Sequence, residues 1–363
     1  MKILVIHATA GAGHKKAAEA VFNGIKAHTS HDVRIVDSLD YTNPFFKASY
    51  PWTYVFMVTK LPAVWEFCFW MLGIPFLQPV VRFVRRCYNA INTQPLEKFL
   101  KEEKFDAIIT THFMSAEVSS YLKRSGKISS KVICVVTDFD VHRIWINKGT
   151  DIYTGACDFT KNKIISLGIN PNQVFAIGIP TDEKFAENTN PQQMRQTLKI
   201  SPDMFTVLLA TGSFGMGPLE ELIDKLTSQQ LLVVCGHNKA LYEQLKGKNS
   251  DRVHIYGLVN NMYELMAASD VMVTKPGGLS IAEALVKKLP LVFFSAIPGQ
   301  ETGNINVLKS YEVATDQGNL TEIVQKVSDL SKSPETYAAL RQKIAVLSKP
   351  NAVKDIILLV ARG

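Results

Sequence analysis

The sequence predicts an α/β fold of two Rossmann-like domains facing each other across a cleft. Three observations predict it. The 363 residues suffice for two domains of ordinary size, and apolar and charged fractions of 47% and 20% are those of a globular protein. Both halves alternate short apolar runs with helix-period segments, the rhythm of a parallel sheet. Each half also opens on strand, glycine loop and helix: Ile3–Ile6 runs into Gly11-Ala12-Gly13, and Thr206–Ala210 into Thr211–Gly217. The expected domains are residues 1–180 and 181–350, with a terminal helix at 351–363 that can pack back on the first.

From His14 to His28 the apolar positions Ala17, Ala18, Val21, Phe22 and Ile25 recur at helical spacing, and Val33–Val36 is the next strand. Asp37 at its end would suit a ribose. Lys16, however, stands where the third glycine of a dinucleotide fingerprint belongs, which weighs against a nicotinamide enzyme. His14 follows the glycines at a helix start. There an imidazole tends to stay neutral and can serve as general base.

Residues 41–89 break the rhythm. They are dense in aromatics and hold three of the four tryptophans, Trp52, Trp65 and Trp70. The uncharged run Phe67–Val81 is too short for a spanning helix, and Pro75 and Pro79 interrupt it. Arg82, Arg85 and Arg86 follow. An aromatic segment closed by arginines suits shallow insertion into an anionic leaflet. The alternative is helices packed in the core or at a dimer interface.

The rhythm then resumes. Strand Asp106–Thr110 delivers Thr111-His112, and strand Lys131–Val136 delivers Thr137-Asp138 with His142 and Trp145. Asp138 and His142, four apart, could pair, position an acceptor or supply a base. No clustered spacing argues for a metal. Residues 178–200 are polar and read as a linker. In the second half, strand Val253–Ile255 meets Gly257-Leu258-Val259, and Val271–Val273 runs into Pro276-Gly277-Gly278, opening a helix with Leu279, Ser280 and Glu283. An apolar strand Leu289–Phe294 precedes Pro298-Gly299-Gln300-Glu301, with Asn304 beyond.

Successive strand ends thus carry glycines, a carboxylate and an amide to one rim, where open parallel sheets bind ligands. The set suits a sugar nucleotide. The glycine loop, with Gly212, Ser213 and Phe214, offers N–H groups to a diphosphate, Glu283 a carboxylate to ribose, and Gln300 and Glu301 polar atoms to sugar hydroxyls.

The net charge of +7 is uneven: residues 1–180 hold 21 Lys+Arg against 14 Asp+Glu, while the rest holds 19 of each. The first half is therefore expected to face something anionic; no aromatic-basic motif argues for nucleic acid. Five cysteines without CxxC spacing fit buried free thiols. Met1-Lys2 leads straight into a strand, which argues against a signal peptide.

Together, Gly11-Ala12-Gly13-His14, Val136-Thr137-Asp138-Phe139 with His142 and Trp145, Thr211-Gly212-Ser213, Lys275-Pro276-Gly277-Gly278-Leu279-Ser280 with Glu283, and Pro298-Gly299-Gln300-Glu301 with Asn304 resemble glycosyltransferase family 28 of the GT-B type. More narrowly they resemble its diacylglycerol glycosyltransferases, the monogalactosyldiacylglycerol synthases and processive diacylglycerol glucosyltransferases. The resemblance spans nearly the whole chain. It implies an inverting, metal-independent hexose transfer from UDP-glucose or UDP-galactose to a lipid such as diacylglycerol, with no cofactor, by a protein peripheral to the cytoplasmic membrane face.

In that reading Glu283 binds ribose, Gln300 and Glu301 the sugar, Ser213 and its neighbours the diphosphate, and Gly257–Asn261 lies beside uracil. His14 is the base, with Asp138 the competing candidate. Gly11, Gly13, His142, Trp145 and the segment 44–89 serve acceptor and membrane. Thr9-Ala10-Gly11-Ala12 departs from the fuller glycine loop of many members. A UDP-sugar 2-epimerase of the same fold, or transfer to another lipid-linked acceptor, remains the alternative.

Overall fold

The computed structural model describes residues 1–9, 11–212, 215 and 217–362. They form two compact units. The first comprises Met1–Glu183, Ile297–Gly303 and the chain from Pro350 on; the second comprises Lys184–Ala296 and Asn304–Lys349.

The first unit contains β1 (Lys2–His7), α1 (Ala12–His28), β2 (Asp32–Asp37), α2 (Pro44–Lys60), α3 (Pro62–Gly73), α4 (Gln78–Asn92), α5 (Gln94–Glu103), β3 (Ala107–Thr110), α6 (Phe113–Arg124), β4 (Lys131–Val135), β5 (Ile152–Thr154), α7 (Asp158–Ser166) and β6 (Val174–Phe175). Its six strands lie in the order β2-β1-β3-β4-β5-β6, all parallel. A strand alternates its side chains between two faces, and here both faces are covered. Ile3 and Val5 pack with Val21 and Ile25 of α1, while Leu4 and Ile6 pack with Leu96 and Leu100 of α5 and Val118 and Leu122 of α6. That is why Ile3–Ile6 reads as an unbroken apolar run.

The second unit contains α8 (Pro191–Thr197), β7 (Thr206–Ala210), α9 (Leu219–Lys225), β8 (Gln230–Val234), α10 (Lys239–Leu245), β9 (Val253–Tyr256), α11 (Met262–Ala268), β10 (Val271–Thr274), α12 (Gly278–Val286) and β11 (Leu291–Phe293). After these come α13 (Gln300–Ser310), which begins in the first unit, α14 (Leu320–Lys332), α15 (Pro334–Leu347) and α16 (Ala352–Ala361), which belongs to the first unit. The sheet order is β11-β10-β7-β8-β9, again parallel throughout. The strand expected over Leu289–Phe294 is shorter, because the Leu289 N–H still closes the preceding helix on Ala284 O.

In each sheet the strand order reverses at one point, between β1 and β3 in the first and between β7 and β10 in the second. The loops leaving these strands diverge, and a concave rim opens at the carboxyl ends. The sequence motifs singled out above follow carboxyl ends of strands, in loops or the first turns of the next helix, except the aromatic segment. That segment is three helices, α2 to α4, inserted between β2 and α5.

The last helix completes the first core. Ile356, Leu359 and Val360 are buried against Ile3, Val5 and Val21. It approaches so closely that a Cβ on Gly24 would stand 2.1 Å from Val353 Cγ1. Ile356→Ala is expected to lower unfolding free energy by about 2–5 kcal/mol in urea titrations. Leu358→Ala, at a side chain 63% exposed, should move it little.

Candidate active site

The first rim gathers histidines. His14 sits in the first turn of α1, beside the loop that leaves β3. Its Nδ1 lies 2.7 Å from Thr111 O and 2.9 Å from Thr137 Oγ1. A carbonyl can only accept, so Nδ1 carries the proton and Nε2 keeps its lone pair. Thr111 Oγ1 donates back to His14 O at 2.9 Å, which ties the two segments twice. The His112 ring meets His14 edge-on, with centroids 4.8 Å apart at 87°, and Trp145 lies 6.1 Å away. Burial pulls the His14 pKa down to about 4, opposed by the bond to Thr111 and aided by His7. His14 is therefore a neutral imidazole whose Nε2 lone pair is unprotonated.

His112 is buried too, and burial holds its pKa well below the usual value. Its Nδ1 accepts the Met114 N–H at 3.2 Å, which leaves the proton on Nε2. His7, the last residue of β1, lies 4.0 Å from Asp37 and is likewise shifted down by burial, with Asp37 opposing. His7, Thr111, His112 and Thr137 received no role from the sequence, although each stands at or just beyond a strand end. Gly11, the N-cap of α1, has extended backbone and open space around a would-be Cβ, and Gly13 lies within the helix.

Asp138 and His142 take different partners. Asp138 is buried, with Oδ2 accepting Trp145 Nε1–H at 3.3 Å and Oδ1 accepting Gln300 Nε2–H at 3.2 Å. His142 Nε2–H donates to Phe69 O at 3.0 Å, and its Nδ1 accepts Ile144 N–H at 3.2 Å. Both ring nitrogens thus hold backbone, and burial lowers the His142 pKa to about 4. Glu301 Oε2 accepts Ile297 N–H at 2.7 Å.

In the second unit, Ser213 and Phe214 lie outside the described residues. The neighbouring glycines have conformational reasons of their own. Gly212 and Gly215 have φ of 68° and 60°, and a Cβ on Gly217 would strike the Phe294 ring at 2.5 Å. Their number by itself therefore does not argue for a ligand. Gly277 differs: it caps α12 with φ −71°, and nothing lies within 4 Å of a would-be Cβ. Gly278, Leu279 and Ser280 form the first turn behind it, and Glu283, one turn further, is buried. Thr211 follows β7 and Thr274 ends the adjacent β10, and among the described residues their buried hydroxyls have no hydrogen-bond partner. Asn304 is fully buried and donates to Pro276 O at 3.0 Å, a structural tie for the glycine turn. Gly257 and the half-buried Val259 follow β9, beside the exposed Leu258.

The aromatic helices are turned outward. None of the twelve residues of α3 is buried. Trp52 and Trp70 are 65% and 62% exposed, and Phe67, Phe76 and Phe83 accompany them. In α4 the usual pattern is inverted: Phe83, Val84 and Cys87 face out, while Arg85, Arg86 and Asn89 face in. Among the described residues no single helix is long and apolar enough to cross a membrane, and α2 with α3 reaches that length only as a pair bent by 113°.

Two expectations for this segment need correction. Arg85 donates to Ile144 O at 2.6 Å and Asn147 Oδ1 at 2.7 Å. Arg86 pairs with Glu97 at 2.6 Å and stacks on the Tyr121 ring. Only Arg82 of the three is exposed to meet an anion. Trp65 packs against Tyr54 and Phe69 rather than outward.

Comparison with known proteins follows the same division. Residues 14–181 match the family model of monogalactosyldiacylglycerol (MGDG) synthase, and residues 206–356 that of the glycosyltransferase family 28 C-terminal domain. A processive diacylglycerol beta-glucosyltransferase of Bacillus subtilis is 26% identical over 98% of this chain and 94% of its own length. Among solved structures, MurG of Acinetobacter baumannii covers 99% of both chains at 13% identity and a TM-score of 0.59. The UDP-GlcNAc 2-epimerase of Neisseria meningitidis, solved with UDP-GlcNAc, covers 100% of both at 16% identity and 0.61.

Two outcomes follow from the geometry. His14 and His142 are harder to protonate folded than unfolded, so the unfolded chain binds more protons between about pH 4 and 6.5. Stability should fall as pH drops through that window, and His142→Gln should flatten the fall in urea titrations at several pH values. Arg85→Ala should cost about 1.5–3 kcal/mol, the worth of hydrogen bonds from a charged donor, whereas Arg82→Ala should leave the melting temperature nearly unchanged.

Proposed function

We propose that this chain, which joins an MGDG-synthase-type N-terminal region to a family 28 glycosyltransferase C-terminal domain, transfers a hexose from a UDP-sugar to the hydroxyl of a membrane lipid, diacylglycerol. The observation that carries the reading is the placement and state of His14: its Nδ1–H committed to Thr111 O, its ring neutral and the Nε2 lone pair unprotonated at neutral pH. Such a group accepts the proton of an alcohol as the alcohol oxygen bonds to the anomeric carbon. The bond from that carbon to the diphosphate breaks at the same time, and the electron pair leaves on UDP. Attack from the face opposite the leaving group inverts the anomeric configuration.

On the donor side, Gly277 and the first turn of α12 supply N–H groups where negative charge develops on the diphosphate, so the reaction proceeds without a metal. Glu283 takes the ribose hydroxyls, Gln300 and Glu301 the sugar, and Gly257 and Val259 lie along the base. The name of the Bacillus relative favours glucose over galactose. On the acceptor side, the inverted α4 and the outward face of α2 and α3 support shallow seating in the cytoplasmic leaflet, with Arg82 at the headgroups. A 2-epimerase would leave this apolar surface without a use.

Purified protein incubated with diacylglycerol vesicles and UDP-glucose or UDP-galactose should yield glycolipid; absence of product with either donor would overturn the reading. His14→Ala should lower turnover by about 10²–10⁴-fold while UDP binding persists. Near-normal turnover in that variant would remove His14 as base. In flotation with anionic vesicles, Trp52→Ser with Trp70→Ser should abolish binding. Arg82→Ala should weaken it about fivefold, the worth of one cation near an anionic surface.

A further inference from the structure

This inference rests on the reading of Gln300 as a sugar-binding residue. The segment Ile297–Gly303 folds with the first unit, and the aromatic helices carry it. Gly299, at φ 82°, lies so near Phe69 of α3 that a Cβ would stand 2.5 Å from the ring. Its N–H donates to Thr302 Oγ1 at 2.9 Å, so the turn is pinned by its own side chains.

The Gln300 amide is held at both ends. Nε2–H donates to Asp138 Oδ1 at 3.2 Å, and Oε1 accepts from Tyr54 OH at 3.4 Å. A primary amide can flip, exchanging donor and acceptor ends. Here the flip is disfavoured: a carboxylate offers only acceptor sites, and Tyr54, its hydroxyl kept protonated by burial, presents a proton. Asp138 is anchored in turn by Trp145 at 3.3 Å, and Tyr54 by an edge contact with Trp65 at 5.3 Å between centroids.

We propose that Tyr54 and Asp138 are positioning residues that fix the Gln300 amide in the one orientation that reads the hydroxyls of the donor sugar. Asp138 then orients sugar recognition and leaves proton removal to His14. Tyr54 lies on α2 between the exposed Trp52 and Phe56, so the helix that meets lipid also holds a donor-reading group.

Calorimetric titration with UDP, UDP-glucose and UDP-galactose tests this without requiring turnover. Tyr54→Phe keeps the ring and removes one hydroxyl. It should weaken the preferred UDP-sugar about two- to tenfold, the range of a single hydrogen bond, and leave UDP unchanged. In a Gln300→Ala background the same change should add no loss. Asp138→Asn, which retains an acceptor oxygen, should lose less than Asp138→Ala. Equal weakening of UDP and UDP-sugar, no change in either, or additive losses with Gln300→Ala would overturn the positioning role. Wild-type protein that binds neither UDP nor either UDP-sugar would overturn the donor reading, and this inference with it.

Discussion

Parallel pairing is the constraint from which the rest of this structure descends. A parallel strand can be reached only by crossing back over a face of its sheet, so helices cover both faces and every strand's carboxyl end opens onto one edge. All strands in both sheets obey this among the described residues. The chemistry-bearing residues consequently have one place to collect, and it is sharpest where the strand order reverses. His7, Thr111 and Thr137 leave β1, β3 and β4; Thr211 and Lys275 leave β7 and β10. Within each unit, no long loop is needed to bring them to the rim.

Within the first rim, burial does most of the electrostatic work. Three histidines lie close enough to influence one another, and desolvation keeps each of them below its ordinary pKa. A carbonyl then decides which nitrogen of His14 holds the proton. The arrangement costs acid stability and leaves His14 an imidazole that is deprotonated near neutral pH. The face of α4 is inverted as well: Phe83, Val84 and Cys87 are exposed while Arg85 and Arg86 turn inward.

Much of this was legible in the sequence because strand runs and glycine turns are local. Ile3–Ile6, Thr206–Ala210 and Val271–Val273 announce themselves by composition, and His14 by its position after Gly13. What stayed hidden depends on direction or distance. Arg85 and Arg86 follow an aromatic run, and adjacency says nothing about which way a helix turns them. The pairing of Asp138 with Gln300 spans 162 residues and leaves no periodic trace. In the glycine loop 212–217, whose spacing suggests a diphosphate cradle, left-handed φ values and the Phe294 contact account for the described glycines.

The chain's route has a bearing on how such proteins can be recombined. It passes from one unit to the other after Glu183, after Ala296, after Gly303 and after Lys349. A swap of the second half at a single junction would therefore carry away both a seven-residue segment and a core helix that belong to the first. Viable hybrids between relatives would need to keep 297–303 and the α16 segment with their own N-terminal partner. The two units are thus interleaved along the chain rather than strung end to end.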